Sequence, residues 1–491
     1  MKLPLLQSAD PDRPVLWVHG GPLSARALMH RVARLAVALP DGARCLINLC
    51  ERRDDFLIAF CAALVRGHTN LLPSSRAEGA VDEVASLNSG SYRCDDNLVA
   101  EACGPDSPRP GVVANPAGAS HVHDAASVDG AARAAAAARA AHAARAADAV
   151  RAGNASRIAG DASSLCDFEL PAEHIAVKAF TSGSTGTPQG HIKFWRSFAG
   201  STAQNAMRIR ECLAPTYGSA RPWIVATVPP QHMYGLETSI ILPLLSDMAV
   251  HAARPLFPAD IAAALAEVPE PRVLITTPVH MRAIAASGQR FPRTALVVSA
   301  TAPLDVDLAR AIERQLDTTV LEMFGSTETC VIATRRTSSE REWHLYPGVT
   351  LTPDAEGASV NAPWFVAPMR LQDLIELHPD NRFTIYGRNA DMIEVAGKRA
   401  SLADLTRRLL AIPGVQDAVV FQPDAASGIV RRVAALVVAP SLTPDTITEQ
   451  LAHSVDPAFI PRPLVIVPRL PRNDVGKLPR AQLLAALRSA K

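Results

Sequence analysis

Short apolar runs alternate with helix-patterned stretches along this chain, and that alternation limits its possible folds more than any other feature. Residues 45–49, 70–73, 175–180, 224–228, 273–276, 295–298 and 320–324 are short and rich in strand-forming residues. Between several of them lie stretches with helical spacing, at 259–268, 280–286 and 304–316. The stretch 55–66 has the same character, with apolar residues at 56, 57, 60, 61, 64 and 65 forming one stripe. Strands that alternate with helices imply largely parallel sheets covered on both faces. After about Tyr386 the texture changes to short strands at 384–386, 415–421, 432–438 and 464–467, with helices at 402–412 and 446–455. Ser401 and Asp404 stand at the spacing of a helix N-terminal cap. The expected architecture is α/β: a large N-terminal domain over 1–386, then a small α+β domain over 387–491.

The charge balance removes several classes of function. Lysine and arginine number 49 against 48 aspartates and glutamates, so there is no global field to hold nucleic acid or an anionic membrane. Aromatic residues at 5% argue against a base-stacking surface. None of the eight cysteines forms a C-x-x-C pair, so a structural zinc site is not expected. The first residues lack the apolar length of a signal peptide, and the most apolar later stretch, 239–250, is too short to span a bilayer. These features point to a soluble protein of the cytoplasm. An alanine-rich insertion at about 112–165 interrupts the pattern; residues 131–150 hold 14 alanines but no large apolar stripe. It reads as a surface segment, with a partner-binding helix as the alternative.

Two segments carry chemistry. Thr181-Ser182-Gly183-Ser184-Thr185-Gly186-Thr187-Pro188-Gln189-Gly190 directly follows an apolar strand. Small residues let the backbone turn closely around an anion, and consecutive N–H groups form a nest for phosphate oxygens. No Gly-Lys-Ser/Thr closes it, so it is not a Walker loop. Phe324-Gly325-Ser326-Thr327-Glu328-Thr329 also follows a strand. A hydroxyl beside a carboxylate there can hold a phosphate oxygen and Mg²⁺ together, because magnesium takes one or two carboxylates plus substrate phosphates.

With these motifs in order, the chain resembles the acyl-adenylate-forming superfamily of acyl-CoA synthetases, aryl-acid ligases, nonribosomal-peptide adenylation domains and firefly luciferase. The resemblance runs from the strand near Cys45 to Lys477. It implies an ATP- and Mg²⁺-dependent acid–thiol ligase in which residues 181–186 bind phosphate and Ala300, Thr301 and Ala302 border adenine. Gly325, Ser326 and Thr327 would approach the α-phosphate, Glu328 would hold magnesium, and His232 would border the substrate carboxylate. Asp373 and Arg388, 15 residues apart, match the residues that contact the nucleotide's ribose and its surroundings. Lys477 matches the catalytic lysine, Ala390 the hinge and Gly397 the thiol tunnel. Two departures stand out: Pro188-Gln189-Gly190 where the family has Pro-Lys-Gly, with Lys193 as a possible substitute charge, and Ala390 where the hinge usually carries Asp or Lys.

The C-terminal motifs look most like a subgroup from aryl-polyene and xanthomonadin-type pathways, which implies an aryl acid, hydroxybenzoate-like, loaded onto an acyl carrier protein. Trp223, Met233 and Tyr234 could line a flat substrate slot, though core packing explains Trp223 equally well. Arg399, Arg407, Arg408, Arg431 and Arg432 could meet an acidic carrier. A free-standing acyl-CoA synthetase for a fatty or aryl acid is the alternative, and a non-catalytic nucleotide-binding relative is the remoter one.

Overall fold

The structure is a computed structural model. It describes the chain except residues 8–9, 19, 105–164, 183–187, 355, 389–391, 396–397, 424–432, 454, 474–475, 477 and 490–491. The chain divides into two compact units, one of residues 1–339 and 363–366, the other of residues 340–362 and 367–491. The alanine-rich insertion lies outside the described residues.

Two mainly parallel sheets build the first unit. In chain order its strands are β1 (Lys2–Pro4), β2 (Pro14–Val18), β3 (Gly21–Ser24), β4 (Cys45–Asn48), β5 (Thr69–Leu72), β6 (Ser91–Cys94), β7 (Glu169–Pro171), β8 (Ile175–Ser182) and β9 (Pro188–Phe194). There follow β10 (Trp223–Ala226), β11 (Ala249–His251), β12 (Arg272–Thr276), β13 (Leu296–Ser299), β14 (Thr319–Ser326) and β15 (Cys330–Arg335). One sheet has the order β6-β4-β5-β8-β9, parallel except for the β8–β9 hairpin. Within this unit the other runs β15-β14-β13-β12-β10-β11-β2-β3, parallel from β14 through β2. Every residue of β10 and β13 is buried, as expected of strands covered on both faces.

Helices at the stretches read from the sequence as 259–268, 280–286 and 304–316 cover the sheets, together with a long helix at 195–217 that was not read there. Helix α1 (Trp195–Tyr217) follows β9 directly, and α2 (Pro258–Glu267), α3 (Pro278–Ala286) and α4 (Val306–Leu316) follow β11, β12 and β13. Asp305 caps α4, its carboxylate accepting from the N–H groups of Asp307 at 2.9 Å and Leu308 at 3.1 Å. The helix stops at Asp317, whose φ of 47° is left-handed. Between these limits Ala309, Ile312 and Leu316 turn inward onto Val297 and Val320, in one core that also holds Trp223, Ile261, Leu265 and Met281. Burying a side chain such as Ile312 stabilises by about 2 kcal/mol. Trp223 therefore serves the core, edge-on to Trp17 at 5.3 Å, and does not line a substrate slot.

Smaller sheets make up the second unit. A hairpin of β16 (Asp373–His378) and β17 (Arg382–Arg388) and a three-stranded sheet of β18 (Asp417–Phe421), β19 (Ala434–Val438) and β20 (Leu464–Ile466) are its main parts. Helices α5 (Leu402–Leu410) and α6 (Pro444–Ala452) cover that three-stranded sheet through Leu405, Leu409, Ile447 and Leu451. No helix among the described residues is long and apolar enough to cross a membrane, and none of the eight cysteines is paired in a disulfide.

Gly200 shows how tightly α1 packs: a Cβ built there would lie 2.4 Å from Trp364, whose indole is 7% exposed. Gly200→Ala should destabilise the protein by about 2 kcal/mol, because overpacking outweighs the gain in helix propensity. A Cβ at Gly79 meets nothing within 4 Å. In urea unfolding, Gly200→Ala is expected to lower the midpoint, whereas Gly79→Ala leaves it unchanged or raises it.

Candidate active site

In parallel α/β sheets, ligands bind beyond the carboxyl ends of the strands. Here Ser299, the last residue of β13, pairs with Glu322, so residues 323–326 of β14 run on past that edge with only β15 beside them. The two strands close very tightly. A Cβ on Gly325 would lie 2.1 Å from the carbonyl oxygen of Cys330, so only glycine fits. Cys330 itself has φ of 61°, and the ladder carries an irregularity between Phe324 and Gly325.

The hydroxyls at this tip are divided between structure and solvent. Ser326 accepts from the N–H groups of Glu328 and Thr329, both at 3.2 Å. Thr329 accepts from the Ser326 N–H at 3.0 Å and donates to the Cys330 carbonyl at 2.8 Å. Thr327 is half-buried, and among the described residues its hydroxyl makes no hydrogen bond.

Glu328 is half-buried, with His191 Nδ1 3.5 Å from its Oε1. Burial pushes its carboxyl up, but the Ser326 hydrogen bond, the local backbone N–H and the His191 and Lys193 charges together hold it below the usual glutamate value. It is thus ionised at neutral pH. Burial lowers the His191 pKa against the pull of Glu328, which favours neutral imidazole. Gln189 is exposed, whereas Lys193 is 2% exposed and its ammonium donates to the Glu328 carbonyl oxygen.

Buried polar side chains finish the neighbouring strand ends. Glu237, 1% exposed, accepts from the Ser201 hydroxyl at 2.7 Å and the Val331 N–H at 3.1 Å. Arg53 donates to the carbonyls of Ala226 at 2.7 Å and Val228 at 3.2 Å and to the Ser239 hydroxyl. Arg76 reaches Gln231 Oε1 at 3.3 Å, one residue before His232. His232, half-buried, opens a one-turn helix, and Tyr234 donates its hydroxyl to the Val298 carbonyl at 3.0 Å. Ala300, Thr301 and Ala302 follow β13, with Thr301 at φ of 79°, a strained value for a β-branched residue. Glu322 anchors the end of that loop by accepting from the Leu304 N–H at 3.1 Å.

Within the second unit, Asp373 and Arg388 are direct Cα partners across the hairpin, and Asp373 is buried. Gly183, Ser184, Thr185, Gly186, Ala390, Gly397 and Lys477 lie outside the described residues, as do the side chains of Thr181, Ser182, Arg388 and the expected cap Ser401. Sequence reasoning did not find His191, Glu237, Arg53, Arg76 or Glu322. The signal for Glu237 was a single carboxylate heading the apolar run 238–245, and for His191 its alternation with Lys193 on β9.

Residues 7–361 match the family model described as AMP-binding enzyme, and residues 407–477 match that of its C-terminal domain. A 4-coumarate–CoA ligase of Halorhodospira halophila is 32% identical over 316 residues, covering 61% of this chain and 73% of its own. A sulfoacetate–CoA ligase of Cupriavidus necator is 28% identical over 392 residues, covering 66% and 72%. The fold is that of the o-succinylbenzoate coenzyme A synthetase of Bacillus subtilis solved with AMP, with a TM-score of 0.72, 16% identity and 98% of each chain covered. ATP-bound MatB from Rhodopseudomonas palustris gives 0.70, also at 16% identity, over 98% of this chain and 97% of its own. The chain belongs to the AMP-binding enzyme family, the acyl-adenylate-forming superfamily of AMP-forming acid–thiol ligases.

Proposed function

We propose that this enzyme couples ATP cleavage to the activation of an aryl acid and passes the acyl group to the pantetheine thiol of coenzyme A. The observation that carries the reading is the tip Thr327–Glu328, which offers an uncommitted hydroxyl and an ionised carboxylate beyond the parallel edge. A single acceptor carboxylate suits a magnesium ion that takes its other oxygens from phosphates and water. Bound there, Mg²⁺ would neutralise charge on the departing pyrophosphate.

The first step needs no protein nucleophile. A carboxylate oxygen of the acid attacks the α-phosphorus of ATP, the bond to the β-phosphate bridge breaks, and pyrophosphate leaves with that electron pair. In the second step the thiolate sulfur attacks the acyl carbon and AMP departs. The chain's contribution is orientation and charge cancellation. In this reading Thr327 donates to an α-phosphate oxygen, residues 181–186 present N–H groups to the outer phosphates, and Ala300, Thr301 and Ala302 border adenine. His232 borders the substrate carboxylate, Asp373 accepts from the ribose hydroxyls, Arg388 contacts the same nucleotide, and Lys477 lies between carboxylate and α-phosphate. The small domain turns about Ala390 between steps, bringing Gly397 to the thiol path.

Coenzyme A is favoured as acceptor because both ligases compared above carry that name. Of the arginines expected to greet a carrier protein, Arg407 and Arg408 are paired with Asp404 of their own helix. A carrier protein is the second acceptor to test.

Lys477→Ala should lower acid-dependent exchange of pyrophosphate into ATP by about a hundred- to a thousandfold. Thioester formation from premade acyl-adenylate should stay within a few-fold of wild type; equal loss of both steps in a folded variant overturns the role given to Lys477. A panel of hydroxybenzoates, cinnamates and fatty acids in the exchange assay should single out aryl acids, and a fatty-acid preference overturns that part of the reading. Offered coenzyme A and a holo-carrier protein side by side, the enzyme should acylate coenzyme A faster.

A further inference from the structure

Lys193 presents a problem of cost. Its side chain is 2% exposed, and burying an ammonium is expensive unless opposing charge and hydrogen bonds repay it. A methionine of similar length would fill the space without that cost. What an apolar side chain cannot do is donate to the carbonyl oxygen of Glu328, where the Lys193 ammonium is directed.

That contact has a geometric consequence. The Glu328 N–H is held by the Ser326 hydroxyl at 3.2 Å, and its carbonyl is held by Lys193. With the peptide groups on both sides of its Cα pinned, the direction of the Glu328 side chain is set, and it leads to His191 3.5 Å away. The peptide joining Thr327 to Glu328 is held by the Ser326 hydroxyl, and the one joining Glu328 to Thr329 by Lys193. The opposite arm of the hairpin is tied through the Val331 N–H to Glu237 at 3.1 Å. Glu237 and Lys193, both buried, thus hold the two arms of one turn through its backbone. His191 and Lys193 lie two residues apart on β9 and so share a face, which puts both on the Glu328 side of the strand.

We propose that Lys193 is a positioning residue for metal–nucleotide binding: from the buried side of the turn it aims the Glu328 carboxylate. The inference rests on the reading of Glu328 as the magnesium carboxylate. It assigns Lys193 no contact with phosphate, which separates it from a simple replacement for a lysine at position 189.

Calorimetric titration of the full-length protein tests it, with ATP in Mg²⁺ and with ATP in EDTA. Lys193→Met should weaken Mg·ATP binding by about tenfold or more, the size of one charge-assisted hydrogen bond, and change metal-free ATP binding by less than about twofold. In pyrophosphate exchange the KM for Mg·ATP should rise more than kcat falls. Lys193→Arg, which keeps donor and charge, should recover part of the loss. If Lys193→Met does not fold by circular dichroism, Lys193→Gln is read in the same way. Mg·ATP affinity within twofold of wild type in a folded variant, or an equal fall for metal-free ATP, overturns the proposal. Wild-type protein that binds Mg·ATP but performs no acid-dependent exchange overturns the proposed function and leaves this inference standing.

Discussion

At the carboxyl edge of a parallel sheet the last backbone groups of each strand lose their partners, and this protein completes them with buried charge. Arg53 takes the carbonyls of Ala226 and Val228 after β10. Glu322 takes the Leu304 N–H after β13, Lys193 the Glu328 carbonyl after β14, and Glu237 the Val331 N–H at the start of β15. Unpaired buried backbone groups are costly, so each of these side chains offsets a penalty that the loops would otherwise carry. The arrangement also concentrates charge in low dielectric. Losing one member would leave its buried backbone partner unsatisfied, at a cost of about 1–3 kcal/mol. Glu322 shows the balance: burial raises its carboxyl, while Arg335 at 2.8 Å and the Thr337 hydroxyl at 2.6 Å pull it back.

This economy decides which side chains stay available to a ligand. Three hydroxyls lie within four residues of the β14–β15 turn, and two of them, Ser326 and Thr329, are consumed in holding the turn together. Thr327 is left over. The same division appears among the acids: Glu237 and Glu322 are enclosed and bonded to backbone, whereas Glu328 keeps its carboxylate partly in water. Preorganised groups of this kind need little rearrangement when charge develops, which is where electrostatic catalysis gains most.

Most of the fold was legible because its signals are local and repeated. The fully buried strands β10 and β13 read as continuous apolar runs, and α4 shows its inward face at 309, 312 and 316. The turn at 324–329 was visible because glycine, hydroxyls and a carboxylate crowd together after a strand. Single charged residues inside apolar surroundings were not. Arg53 and Glu237 lie far apart in sequence from the groups they satisfy, and nothing local marks a buried arginine as different from a solvated one. Trp223 was ambiguous in sequence, since a large aromatic suits a core as well as a pocket, and its contact with Trp17 places it in the core. The left-handed Thr301 is likewise silent in sequence: threonine seldom adopts that conformation, so the surrounding loop imposes it.

The departure at position 189 takes on a different meaning in this setting. Strand β9 presents Gln189, His191 and Lys193 on one face by simple alternation, and exposure falls along that line from Gln189 to Lys193. The cationic position thus lies at the buried end of the strand face instead of its exposed end. A lysine at the exposed end would meet a ligand directly and be screened by solvent. At the buried end, its donor is set against the Glu328 carbonyl, so it acts through backbone geometry. Strand β9 therefore bears on the turn after β14 even though the two strands belong to different sheets. His191 and Lys193 make that link together, one at the Glu328 carboxylate and the other at its carbonyl.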